Sequence, residues 1–402
     1  MSNYLLCALV VALSLFSAPQ NTLASPLDAL AGGKLSLGWR YRLEQVRQPD
    51  AFDQDAVANT LRTRLGYRSG EWAGWRLQAE FDQVAWLFDD RFNSTRNGQS
   101  TFPTVADPKG ADLNQFALHW QPDEQLALTL GRQRLQLDNQ RFVGAVGWRQ
   151  NEQTFDAVSL RYRMPAALTW HYAWLGHIRR VFGPEEGAPP AVLDSNSHLL
   201  NARLLAGPVT LVGYGYALAF DNAPALSSLT AGLRAQASPV SGDWRFPLTA
   251  EAARQRDHDD NPQRYRADYL LLEAGAGWRG YLLTLGQERL GADRDAGVAL
   301  QTPLATLHAF QGFTDVFLTT PPAGLVDQYV RVAVPTGAVQ WTLGAHRFEA
   351  ATGDAAYGRE WNLSAGWQAR DWLHLLVKAA DYQAREFSVD TRKLWLQATL
   401  NF

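Results

Sequence analysis

"KLSLGWRYRLEQV", Lys34 to Val46, is the stretch whose reading decides the fold. Leu35, Leu37, Trp39, Tyr41 and Leu43 alternate with Ser36, Gly38, Arg40, Arg42 and Glu44. A period of two places the two sets on opposite faces of a strand, one oily and one wet. The arrangement returns in "WRLQAEFDQ", with Trp75, Leu77, Ala79 and Phe81 against Arg76, Gln78, Glu80 and Asp82. It returns again in "AVSLRYR", with Val158, Leu160 and Tyr162 against Ser159, Arg161 and Arg163. Periodicity predicts eighteen such strands, centred on 35–46, 57–68, 75–86, 111–120, 125–134, 155–163, 168–179, 197–204, 210–220, 228–236, 246–256, 267–278, 281–289, 326–334, 338–348, 359–369, 372–383 and 392–402.

The connections sort by length. "RSGEWAG", "QPDEQ", "MPAA", "AGPVT", "RG", "PTG" and "RD" are short, and they alternate with connections of up to about 35 residues. Short turns at one end and long loops at the other, joining an even number of strands, are the layout of a bacterial outer-membrane barrel. Closure leaves no unpaired sheet edge in lipid, which hydrocarbon does not tolerate. Trp39, Trp75, Trp120, Trp170, Trp174, Trp278, Trp341, Trp361 and Trp367 fall on the oily register, as an interfacial aromatic belt requires. The expected fold class is therefore all-β, a transmembrane antiparallel barrel of eighteen strands. A soluble β-sandwich or propeller is the competing architecture, but it would bury its oily face in a core.

Composition fits this reading. The 402 residues show no linker or charge block that divides them, so one large architecture is expected over residues 25–402. "MSNYLLCALVVALSLFSAPQNTLAS" carries an apolar run too short to span a bilayer and a small-residue exit. It reads as a secretory signal over residues 1–24, although its first residues lack Lys and Arg. The single cysteine, Cys7, lies inside it, leaving the mature chain without disulfide, thiolate metal site or lipid anchor. About ten residues then precede the first strand, too few for the plug of an energy-coupled receptor. The formal net charge of −3 gives no case for nucleic-acid binding. "LWLQATLNF" alternates down to Phe402 and resembles the C-terminal signature read by the barrel-assembly machinery, an expected partner beside outer-membrane lipid and lipopolysaccharide.

One phrase is written twice. "LTLGRQRLQLD", Leu128 to Asp138, and "LTLGQERLGAD", Leu283 to Asp293, share seven of eleven residues, and each leads into a long connection. Both copies are expected to run up an ascending strand and break at Gly131 or Gly286, where a missing side chain permits a bulge or a close approach. The aromatic-bearing loops 135–154 and 290–325 follow, and at least one is expected to fold into the mouth and narrow it.

The segment "GRQRLQLDNQRFVGAVGWRQNEQTFDA", Gly131 to Ala157, together with Leu300 to Val330, resembles the bacterial alginate export family of outer-membrane proteins. The resemblance implies an eighteen-stranded barrel whose electropositive lumen passes an anionic polysaccharide or oligosaccharide. The archetypal exporter also has a long periplasmic gating loop, whereas the periplasmic turns found here are short.

Alternation puts thirteen cations on the inward register, Arg40, Arg42, Arg62, Arg64, Arg68, Arg76, Arg161, Arg163, Arg203, Arg234, Arg331, Lys378 and Lys393. Eight acids oppose them: Glu44, Glu80, Asp82, Glu251, Glu273, Glu288, Asp327 and Glu360. Rows of guanidinium groups suit an anion-passing pore, since the planar fork pairs with carboxylates. Arg40, Arg42, Arg62, Arg64, Arg76, Arg132, Arg134, Arg161, Arg163 and Arg203 are the candidate pore-lining residues. The bland alternative is an Arg–Glu network that satisfies buried charge in a closed structural barrel. A barrel enzyme of lipase or protease type is a further alternative, but none of the eight histidines sits in a nucleophile motif, so no catalytic residue is assigned. No cofactor is expected. Asp257, Asp259 and Asp260 in "RDHDDN" are weak candidates for a divalent cation.

Overall fold

The computed structural model describes residues 25–88 and 91–402. The expected signal, with Cys7 inside it, lies outside the described residues. Eighteen long strands carry the architecture. They are β1 (Lys34–Arg47), β2 (Ala56–Arg68), β3 (Trp75–Trp86), β4 (Gly110–Trp120), β5 (Leu126–Gln133), β6 (Thr154–Arg163), β7 (Leu168–Arg179), β8 (Val192–Ala206) and β9 (Val209–Leu218). The second half comprises β10 (Ser228–Ala237), β11 (Leu248–Asp257), β12 (Arg266–Trp278), β13 (Tyr281–Leu290), β14 (Leu325–Thr336), β15 (Val339–Glu349), β16 (Ala356–Arg370), β17 (Leu373–Ala384) and β18 (Thr391–Asn401). Each pairs antiparallel with its neighbours in sequence, and β18 returns to β1 from Gly38↔Asn401 to Arg47↔Arg392. Every strand edge is thereby hydrogen-bonded, as a membrane requires.

All eighteen expected strands lie on observed ones. The largest boundary difference is β8, which begins at Val192 rather than 197, because its external end continues as a ribbon above the apolar band. One short-side connection, 238–247, folds into a small hairpin, Val240–Ser241 against Trp244–Arg245, that adds to β12. A one-and-a-half-turn helix, Pro26–Ala31, precedes β1 and is capped by Ser25. It is tied to the barrel wall by the Tyr67 hydroxyl, which donates to the Leu30 carbonyl.

The outward register is apolar and exposed. Leu35, Leu65, Leu233, Leu285, Leu343 and Trp361 all stand on the outer wall. Bulges at β3/β4, β6/β7, β7/β8 and β15/β16 adjust the register on the way round.

The packed core lies inside the barrel. Leu135, Phe142 and Val143 from the β5–β6 loop, and Leu300, Leu304 and Phe317 from the β13–β14 loop, pack against Tyr214, Tyr269, Phe348 and Tyr382 of the wall. A third loop, between β3 and β4, buries Phe92 and Val105 against Val46, Ala56 and Ala58. An interior that an eighteen-stranded ring leaves too wide for wall side chains is thus filled by loops.

Candidate functional site

The two loops led by the doubled phrase meet inside the barrel. Val143 bridges Leu304, the Gly144 N–H donates to the Leu304 carbonyl at 2.8 Å, and Gln153 Nε2 donates to that same carbonyl at 3.1 Å. Arg149 of the first loop reaches Asp315 of the second at 3.1 Å. Both loops therefore narrow the lumen, where at least one was expected to. The strands do not break at the glycines: β5 runs on to Gln133 and β13 to Leu290. Gly131 adopts φ +108°, against the Phe116 carbonyl, whereas Gly286 keeps an ordinary φ and makes room for the Tyr329 ring.

Five of the ten arginines expected to line the pore hold these loops. Arg40 is buried; its Nε donates to Gln150 Oε1 at 3.0 Å and its Nη1 to the Gly147 carbonyl at 2.7 Å. Arg42 is fully buried, donates to the Trp148 carbonyl and to Gln397, and stacks 4.0 Å over the Trp148 ring. Arg62 and Arg64 approach Glu152 at 3.4 and 2.9 Å, Arg64 also grips Asp82, and Arg134 binds Glu80 and Glu152. Burial alone would raise the Glu152 carboxyl, but Arg64, Arg134 and Arg62 outweigh it and hold Glu152 ionised well below the usual carboxylate range. Arg76 pairs with Glu71 near the short-turn end.

Arg132 departs from expectation. It shares a register with exposed Phe116 and with Asp156, to which its Nε donates at 2.7 Å, so it belongs to the outer wall and not to the lumen. Strand parity explains it, because Leu128, Leu130 and Arg132 face one way. Arg134 shares that parity but turns inward because β5 has ended.

The remaining cations are differently placed. Arg161, Arg163 and Arg203, with Arg68, lie at the short-turn ends of β6, β8 and β2, and none has an acidic partner among the described residues. Arg163 and Arg203 flank Thr169, and Arg161 sits opposite His171. A cavity of about 550 Å³ opens beneath the loop residues Leu135 and Gln136, lined by Arg68, Arg76, Arg161, His119, His171, Gln78 and Ser159. Its lining contains no carboxylate. The opposite wall is of another kind. Tyr214 donates to Glu251, Tyr269 to Glu288 and Tyr329 to Glu273, each at 2.7 Å. These inward tyrosines went unread in the sequence because aromatic residues were assigned to the oily register.

A latch joins the second loop to the wall. His308 stacks on Trp148 at 4.1 Å; its Nδ1 lies 3.0 Å from Asp315 and its Nε2 2.6 Å from Lys378 Nζ. A neutral ring that donates from Nδ1 to the carboxylate and accepts at Nε2 from the ammonium satisfies both contacts. Burial, reinforced by Lys378, holds His308 well below the ordinary imidazole range. Burial opposes the charge of Asp315, but Lys393, His308 and Arg149 outweigh it and keep that carboxyl well below its ordinary value.

Neither His308 nor His346, which bonds Asp327 at 2.9 Å, has a serine or threonine hydroxyl on its other ring nitrogen among the described residues. Asp257 is occupied by Arg264 at 2.7 Å and by the Tyr265 N–H, and no group of three His, Cys, Asp or Glu among the described residues could hold a metal ion.

A closed ring of eighteen antiparallel strands with an oily outer wall, short turns at one end and infolded loops at the other is the fold of a bacterial outer-membrane β-barrel. Residues 34–175 match the family model described as alginate export. No curated protein sequence matches the chain. Among solved structures, the outer membrane protein OpdK from Pseudomonas aeruginosa is similar at 14% identity and TM-score 0.71, covering 93% of this chain and 99% of that one. OccAB1 of Acinetobacter baumannii is similar at 11% identity and TM-score 0.70, over 95% and 99%. OccK2 of Pseudomonas aeruginosa, solved in complex with glucuronate, is similar at 15% identity and TM-score 0.69, over 93% and 99%.

Proposed function

We propose that this barrel is a non-enzymatic channel for small carboxylate-bearing solutes, of the acidic sugar and short acidic oligosaccharide class. One observation carries the reading: the cavity below the infolded loops is lined by Arg68, Arg76 and Arg161 with His119 and His171, and by no carboxylate. Arg76 is paired with Glu71, which leaves Arg68 and Arg161 unopposed among the described residues; such guanidinium groups in a wet pore raise the local concentration of anions and offer a carboxylate two parallel hydrogen bonds. Successive weak sites from this cavity to the Arg163–Thr169–Arg203 row let such a solute enter and leave. The loops that cross the lumen argue for a small solute over a wide polymer. A neighbouring fold crystallised with glucuronate is consistent with that class. In this reading the upper arginines, Arg40, Arg42, Arg62 and Arg64, set the shape of the path by fixing the loops, and the lower ones set its selectivity.

Planar-bilayer recording separates the two roles. At low salt the wild type should prefer anions, and the preference should weaken as ionic strength rises. Replacing Arg68 and Arg161 by Gln should reduce it, each lost charge being worth about 1 kcal/mol, or about fivefold in anion occupancy. Arg64→Gln should instead raise conductance with little change in selectivity. A cation-selective wild type overturns the reading.

A further inference from the structure

The outer wall near the long-loop end carries charge that the lumen does not explain. Arg256 stands directly opposite Arg266 across β11–β12, Arg347 opposite Arg359 across β15–β16, and Arg47 opposite Arg392 across the β18–β1 seam. All six are exposed. Arg47, Arg392 and Arg347 have acids nearby in Asp55, Asp381 and Glu349. Arg256, Arg266 and Arg359 have no side-chain partner among the described residues. Like charges directly opposite in an antiparallel pair, with Cβ atoms about 5 Å apart, repel. Inside the barrel the corresponding pair, Arg40 opposite Arg62, is relieved by the Gly147 and Arg149 carbonyls, Gln150 and Glu152. Among the described residues the Arg256–Arg266 pair has no such acceptor, and in the Arg347–Arg359 pair only Arg347 has one, Glu349.

Their height is set by the neighbours. The next outward residue after Arg359 is Trp361, 62% exposed, and Leu270 follows Asp268 below Arg266. Outward positions on one strand are about 7 Å apart, so Arg359 sits one step above the apolar band and Arg266 two, at headgroup level. Deeper placement would be costly. The unpartnered arginines lie on β11, β12 and β16, whereas on the β5–β8 side Arg132 and Arg179 are both paired with Asp156.

We propose that the Arg256–Arg266 and Arg347–Arg359 pairs each clamp a phosphate of lipopolysaccharide in the external leaflet. A phosphate supplies the acceptors that Arg256, Arg266 and Arg359 lack, and can share Arg347 with Glu349; two guanidinium forks can each bind it through parallel hydrogen bonds. The proposal rests on the external placement of the long loops and is independent of what passes through the lumen.

The test compares urea unfolding midpoints of the full barrel in phosphatidylethanolamine vesicles alone, with added lipopolysaccharide, and with phosphatidylglycerol at matched charge. Wild type should gain most from lipopolysaccharide. The double variants Arg256→Gln with Arg266→Gln, and Arg347→Gln with Arg359→Gln, should lose most of that gain. In the uncharged vesicles they should equal or exceed wild type, because a like-charge repulsion has been removed. An equal gain from phosphatidylglycerol overturns the assignment, as does an undiminished lipopolysaccharide gain in the variants or a uniform loss in all three membranes. Anion selectivity of the same variants should not change, which keeps this outcome separate from that of the channel reading.

Discussion

Two glycines in equivalent positions of one repeated phrase do unlike jobs, and substitution should expose the difference. Gly131 holds a φ that disfavours any side chain, so Gly131→Ala should cost about 1–3 kcal/mol in urea unfolding, whatever room its neighbours give. Gly286 has no such strain. There the added methyl meets the Tyr329 ring, and Gly286→Ala should displace that ring and release its hydrogen bond to Glu273. Removing the ring as well, with Tyr329→Ala, should relieve the Gly286→Ala penalty but leave that of Gly131→Ala intact. His308 makes a prediction of the opposite kind, about pH. Its imidazole is held below the ordinary 6.5 in the latched loop. A released loop would therefore bind a proton below pH 6.5 that the latched loop refuses, so acid favours release, by up to about 1.4 kcal/mol per pH unit. Asp315 is also depressed, and its contribution is complete above the ordinary carboxylate range and fails only under stronger acid. Conductance should accordingly rise as pH falls from 7 towards 5, and His308→Gln should flatten that rise.

At the scale of elements, the two infolded loops act as one constriction because each supplies what the other lacks. The first offers the Trp148 face and Arg149; the second brings His308 and Asp315 to them. Lys378 and Lys393, from β17 and β18, anchor the joint to the wall. Shortening 291–324 should raise single-channel conductance several-fold and also expose 135–153 to protease, since the Val143–Leu304 pairing and the Arg149–Asp315 bridge go together. Unchanged conductance in a correctly folded barrel would place the constriction elsewhere. Asp315→Asn is the milder version. It leaves Lys393 buried without its counter-charge and Arg149 with Glu44 and Asp107 only, and partial loosening is expected.

For the whole molecule, the wall could be read from sequence and the filling could not. A strand that faces lipid on one side and water on the other must alternate, so Leu35 to Glu44 announce both faces, and eighteen such segments specify a ring. Loops carry no period. Nothing in the spacing of Asp107, Glu152 or Asp315 says that they fold back onto Arg42, Arg64 and Lys393, and so the upper arginines looked like pore lining when they are loop anchors. Arg132 was misplaced for a simpler reason, since its parity already put it outside. Closure itself depends on a seam whose strength can be measured. β1 and β18 meet over ten paired positions, and Phe402 extends the seam by exchanging backbone hydrogen bonds with Leu37 at 2.8 and 3.0 Å. Its ring lies edge-on to Trp39 at 5.8 Å and stacks on Trp372 at 5.9 Å. Phe402→Ala keeps the backbone bonds and removes both ring contacts, each worth about 0.5–1.5 kcal/mol. The refolded barrel should therefore lose about 1–3 kcal/mol in urea, with conductance and selectivity unchanged because the ring is outside the lumen. A variant as stable as wild type would mean that register alone holds the seam. One with altered selectivity would mean that strain at the seam reaches the loops through Arg42, which bonds Gln397 of β18 and Trp148 together.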